Sequence, residues 1–243
     1  MKRTVLIIFM MLVISILFAE NWPLGFPTGN FNDKTGIPVN TLRKIAELQA
    51  KDAWGTVKIA AEIPCVDADG NISVYMFIYR IGGEPEAYDR ITSDIKEGRR
   101  LYSEAAAQGD REKMEKAKKL KWGIDRYGTI VMSAVSGTVP VIERIHGLPP
   151  FYTMLDLMQA QFSIVHKLSR IFYFSPVEQY YEFQSGAETF LSGAFPVKKA
   201  GIDSIKKRSN NIKQNFDASE NEKIREIIKQ QWHAQKKRIG EEQ

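Results

Sequence analysis

A single thiol, Cys65, and three imidazoles, His146, His166 and His233, are the groups from which this 243-residue chain could assemble a nucleophile and a general base. A thiolate forms at neutral pH beside a helix N-terminus or a cation, and needs an imidazole to take its proton. Cys65 follows Pro64 in an extended segment leading into a turn, so it reads as a small semi-buried thiol at a sheet edge. The histidines show no His-x-His or His-x-x-x-His spacing for a metal pair. Asp67-Ala68-Asp69-Gly70-Asn71 opens like a calcium loop, but Ile72 and Ile78 stand where that loop requires Gly and a bidentate Glu. A hairpin turn uses the same residues, because Asp, Asn and Gly tolerate positive φ. With no Gly-x-Ser-x-Gly elbow and no Gly-rich phosphate loop, the expectation is a chain that is not an enzyme, with no metal and no cofactor.

The elements around these groups are set by hydrophobic periodicity. Lys2 and Arg3, an apolar run from Val5 to Leu17 broken only by Ser15, and Ala19 before Glu20 have the form of an export signal. The run is shorter than the roughly twenty residues that span a bilayer, which favours cleavage after residue 19. Leu17, large for the −3 position, keeps an uncleaved tether as the alternative. The location expected is secreted or periplasmic. Residues 20–39, rich in Pro, Gly and Asn, read as a linker.

Residues 40–197 read as one α+β domain in which helices pack on an antiparallel sheet, with a helical insertion over 84–121. Asn40 or Thr41 is placed to cap a helix ending at Trp54, with Leu42, Ile45, Ala46, Gln49 and Ala53 inward. Val57–Ile63 and Ile72–Ile81 then form a hairpin. Ile91, Ile95 and Tyr102 recur at helical spacing, Gly109-Asp110 breaks the pattern, and a second helix runs to Lys121. Trp54-Gly55 and Trp122-Gly123 each close a helix ahead of a strand, which suggests two related units. A further helix is expected from Thr153 to Leu168, then strands over 170–174, 177–184 and 188–197. Alternation and helical spacing place Ile130, Met132, Ile142, Tyr75, Phe77, Leu155, Phe162 and Phe183 in one shared core.

Charge is uneven. The chain carries a formal +5; residues 198–243 hold twelve Lys and Arg against seven Asp and Glu, whereas 20–197 are close to balance. That basic helical tail has a narrow stripe of Ile224, Ile227, Ile228 and Trp232, which suits docking on the body or, alternatively, a partner helix or membrane surface. Tyr180, Tyr181 and Phe183 alternate along a strand without a basic groove, so nucleic acid is not an expected partner.

Three segments carry a resemblance. Ala46–Gly55, Val74–Ile81 and the strand-turn-strand Tyr127–Glu143 resemble the Ala-rich helix, aromatic strand and Gly-x-Ile-Val-x-Ser-Ala strand of the prodomains and inhibitors of secreted streptopain-type cysteine peptidases. The resemblance covers about residues 40–200 and implies a cystatin-like or PepSY-like unit that occludes the cleft of a secreted cysteine peptidase. The alternative is an exported module that binds a ligand or another envelope protein. For the inhibitor, Ile145–Tyr152 is the candidate contact edge, with His146, Leu148, Phe151 and Tyr152 facing the partner and the paired prolines Pro149 and Pro150 lowering the entropy lost on binding. Burial of the same loop as the lead-in to the next helix is the competing expectation.

Overall fold

A computed structural model describes residues 36–82, 90–152, 167–185, 188–192, 204, 207 and 222–241. Its elements run α1 (Val39–Trp54), β1 (Val57–Val66), β2 (Ile72–Ile81), α2 (Arg90–Gln108), α3 (Arg111–Lys121), β3 (Tyr127–Ser133), β4 (Val141–His146), β5 (Lys167–Ser175), β6 (Glu178–Ser185), β7 (Glu188–Ser192) and α4 (Glu222–Arg238). The fold is α+β. The expected signal, the linker up to residue 35, most of the expected helix from Thr153 with Leu155 and Phe162, and the side chain of Phe183 lie outside the described residues; the expected end of that helix is corrected, because Leu168 is a buried residue of strand β5.

All seven strands form one sheet in the order β4-β3-β2-β1-β5-β6-β7. The sheet is mixed, which corrects the antiparallel expectation. Consecutive hairpins make β1 to β4 antiparallel, but β5 pairs with β1 in parallel, at Val66 opposite Phe172. A parallel neighbour cannot follow by a tight turn, and here residues 67–166, with β2, β3 and β4 among them, separate β1 from β5. Both Trp-Gly dipeptides end helices as expected, with Gly55 and Gly123 at the positive φ values of 75° and 64° that glycine adopts readily. The two hairpins that follow them lie side by side in this one sheet.

Both faces of the sheet around β1 to β4 are covered, so the single core expected from alternation divides between two main clusters, with a third, small one at Val66, Ala68 and Phe172. Tyr75, Phe77, Tyr79, Ile130 and Met132 pack with Leu42, Ile45 and Ala46 of α1 and with Trp232 of α4. On the opposite face Ile63, Cys65, Met76, Ile78 and Val131 pack with Ile91 and Ile95 of α2, with Phe151, and with Ile171 and Tyr173 of β5. Ile142 joins this second cluster and not the first. The reason is the pleat: neighbours on a strand point to opposite faces, and every residue of β3 is buried because each face has its own cover.

The second face is concave. The hydroxyl of Tyr173 on β5 lies 3.4 Å from a carboxylate oxygen of Glu143 on β4, although three strands separate the two in the sheet. In a flat sheet four interstrand steps would hold them about 19 Å apart, so the contact requires strong curling. At the outer edge, β4 carries Glu143 and Arg144 mid-strand and faces a bulge in its pairing with β3, features that discourage addition of another strand.

The C-terminal helix docks on the body, the first of the expectations for it, through Trp232 and Ile228, while Ile224 and Ile227 of the expected stripe stay exposed. Trp232 is buried and its indole N–H donates to the Thr138 carbonyl at 2.7 Å. Gln235 meets Gln49 at 2.9 Å, and Arg238 meets Asp52 at 2.7 Å. Thr41 does not cap α1. Pro38 precedes the helix and its carbonyl accepts from Thr41 N and Leu42 N, leaving the Thr41 hydroxyl to donate to Glu241 at 2.8 Å.

Candidate functional site

Among the described residues, the helical insertion lines a cavity. Gly109 and Asp110 end α2 and start α3, and the Asp110 carboxylate accepts from Lys113 N at 3.0 Å as an N-cap. The two helices then run back along each other. They close tightly at Gly98, where an added Cβ would stand 2.5 Å from the Lys121 backbone nitrogen, so only glycine allows this approach.

The pair is fastened to the sheet by one buried carboxylate. Asp94 is 7 % exposed; it accepts from Arg126 at 2.8 Å and from the Tyr127 hydroxyl at 3.1 Å, with an Arg80 nitrogen 3.8 Å away. The Arg80 guanidinium in turn lies over the Tyr127 ring, 5.3 Å from its centroid. Ile91 and Ile95, one turn apart on the same side of α2, insert into the concave face beside it.

Away from the sheet, α2, α3 and the turn to β3 enclose an open cavity of about 630 Å³. Its floor is aliphatic: Leu101 and Ala105 from α2, Ala117 and Leu120 from α3, and Ile124. Its rim is cationic, with Lys113, Lys116, Lys119 and Arg126 against Glu104 and Asp125. Residues 90–126 hold eleven Lys and Arg against seven Asp and Glu, close to the excess of the whole chain. Averaging charge over residues 20–197 hides this, because the rest of that span is acidic. A shorter window, of the length of the helical pair, would have found it.

The residues expected at a contact edge do not form one. Phe151 is fully buried, and Leu148 and Tyr152 are buried with it in the concave-face cluster. The expectation that these three stand exposed is therefore corrected. Gly147 and the two prolines turn the chain inward, Leu148 N bonds back to the Trp122 carbonyl at 2.9 Å, and burial of apolar rings outweighs their display. His146 alone is exposed, with Nε2 3.1 Å from Asp125.

Cys65 lies on the central strand and not at an edge. It is fully buried, and burial pushes its thiol up, away from thiolate formation. Near it on the concave face stand Tyr173 and Tyr181, whose hydroxyls are also pushed up by burial. The turn at Asp67–Asn71 is a hairpin turn, with Asp67 N donating to the Asn71 carbonyl at 2.8 Å and the Asp67 carboxylate accepting from Asp69 N and Asn71 N. Among the described residues no cluster of three or more His, Cys, Asp or Glu side chains could hold a metal, and no helix is long and apolar enough to cross a membrane. His166 lies outside the described residues, and His233 is exposed on α4.

Glu143 gives this face a pH signature. Burial raises its carboxyl above the ordinary 4.5, and the bond from Tyr173 opposes that shift only in part. A raised folded-state value means stability that is complete below the ordinary carboxyl range and is lost as pH rises through the raised value. Glu143→Gln should therefore match the parent near pH 4 and melt at a higher temperature than the parent near pH 7. Thermal melts across that range check the result, and a gap of the same size at both ends would contradict it.

No protein-family model, no curated protein and no solved structure matches this chain.

Proposed function

We propose that this chain is an exported, non-catalytic binding module that engages an anionic partner through the groove between α2 and α3. The observation that carries the reading is the groove itself: an aliphatic floor rimmed by Lys113, Lys116 and Lys119 against Glu104 and Asp125, on a helical pair anchored to the sheet by the buried Asp94, which holds Arg126. A rigid support of this kind lets a site bind without first being ordered. Export is the reading of Lys2 to Ala19. The non-catalytic reading draws support from Cys65, whose burial and raised thiol remove the one cysteine from nucleophile chemistry.

Kinship with the streptopain-type inhibitors stands beside this as a proposal about origin. Leu148, Phe151 and Tyr152 are core residues, so a peptidase partner would be met at another surface. The test is photo-crosslinking in cells that make the protein, from a photoreactive residue at position 116 on the groove rim, with position 177 as reference because Val177 is 87 % exposed and lies far from the groove in sequence. Partner adducts from 116 and none from 177 are expected; equal yields from both would contradict the reading.

A further inference from the structure

We propose that the occupant of this groove is an acidic amphipathic helix of two to three turns, supplied by a partner protein; this rests on the groove being the binding surface. The first argument is shape. Leu101 and Ala105 on one helix, and Lys113, Ala117 and Leu120 on the other, follow the i, i+3 and i+4 rows that form ridges and grooves on helix surfaces. A third helix laid between two such rows completes a small bundle, which is the helix-in-groove mode of recognition. Ala105 and Ala117 are themselves buried, so the apolar surface a third helix meets is that of Leu101, Leu120 and Ile124.

The second argument is where the charge lies. Lys113, Lys116 and Lys119 recur every third residue along α3, spreading their ammonium groups over about 9 Å of helix axis. A single phosphate or lipid headgroup would want its cations gathered at one end of the cavity. Carboxylates repeated once per turn want them spaced along it. A planar membrane surface, for its part, does not reach the floor of a concave groove.

Existing ion pairs do not block this arrangement. Lys113 pairs with Asp110 at 3.1 Å and Lys116 with Glu112 at 2.7 Å, both on the exposed surface of their own helix. Such pairs are weak in water and salt-sensitive, so the ammonium groups are free to turn to carboxylates presented in a drier groove. Lys119 is 3.9 Å from Asp125, a loose contact at the groove's far end.

The experiment uses the full-length protein and three probes. These are a synthetic helical peptide with Glu at every third or fourth position and Ala or Leu between, the same peptide with Gln for Glu, and phosphatidylglycerol vesicles. The Glu peptide should bind at low salt, weaken as salt rises, and bind at least about tenfold more tightly than the Gln peptide. Lys113→Gln, Lys116→Gln and Lys119→Gln together should remove about tenfold of that affinity without moving the melting temperature. If the triple variant melts early, Lys116→Gln alone is read, with a smaller loss expected. Equal binding of the two peptides, unchanged affinity in the variants, or binding to vesicles but not to peptide would overturn the proposal. Crosslinks from position 116 without binding of the Glu peptide would overturn the acidic helix while leaving the binding module intact; no crosslinks from 116 would remove both.

Discussion

Replacing Phe151 by Ala should lower the stability of this protein by roughly 3–5 kcal/mol, the range for deleting a large aromatic from a packed core. The ring is fully buried, lies 4.2 Å from the Tyr152 ring between centroids, and belongs to the cluster that joins β1, β2, β3 and β5 on the concave face. Its removal forfeits the transfer of the ring out of water and leaves a cavity that the curled sheet has little freedom to close. Urea unfolding of parent and variant measures the loss. A difference under about 1 kcal/mol, the scale of a surface substitution, would return the loop 145–152 to the surface and with it the peptidase-contact reading.

The second large effect belongs to Asp94. Asp94→Ala should cost roughly 3 kcal/mol, near the lower end of what breaking a buried pair costs. The lower end applies because the Arg126 side chain is 41 % exposed and water replaces part of what it loses. The Tyr127 hydroxyl is buried and loses its bond to the carboxylate away from solvent. Asp94→Asn retains one acceptor oxygen and should fall between parent and Ala. Because Asp94 fastens α2 to the start of β3, amide exchange in α2 and α3 should rise more than exchange in β1 and β2. A loss spread evenly over the sheet would contradict its role as the anchor of the helical pair.

How much was legible in the sequence follows from the range of each signal. The β1–β2 hairpin, the α2–α3 break at Gly109-Asp110 and the three C-terminal strands were readable because turn chemistry and periodicity are local. The two-sided burial of the sheet was not, since alternation says that neighbours face opposite ways but not that both sides are covered. Tyr75 and Met76 are adjacent, both buried, and belong to different cores. The parallel β1–β5 pairing joins residues more than a hundred apart, Val66 and Phe172, and no local pattern encodes it.

The loop 145–152 misled for a different reason. Gly-Leu-Pro-Pro-Phe-Tyr is a turn signal followed by apolar rings, and the same composition serves a displayed edge or a lead into the core. The deciding fact is the Leu148–Trp122 backbone bond, which ties the loop to the end of α3. Cys65 followed a similar course: a Pro before it suggested an edge, yet β1 is the central strand. Pro64 lies in the segment that pairs with β2 on one side, while on the other side β5 meets β1 at Val66. The basic groove is legible in principle, since its lysines are in plain sequence, but the acidic residues of the rest of 20–197 cancel them in the charge of that span.

The claim on which the rest depends is that partners are met at the α2–α3 groove and not at the loop 145–152. Photoreactive residues at positions 116, 146 and 177 in the full-length protein, in the cells that make it, compare the groove rim, the exposed histidine of the loop and a remote exposed site under identical conditions. Adducts concentrated at 116, with 146 no higher than 177, are the predicted result; adducts concentrated at 146 would contradict the account.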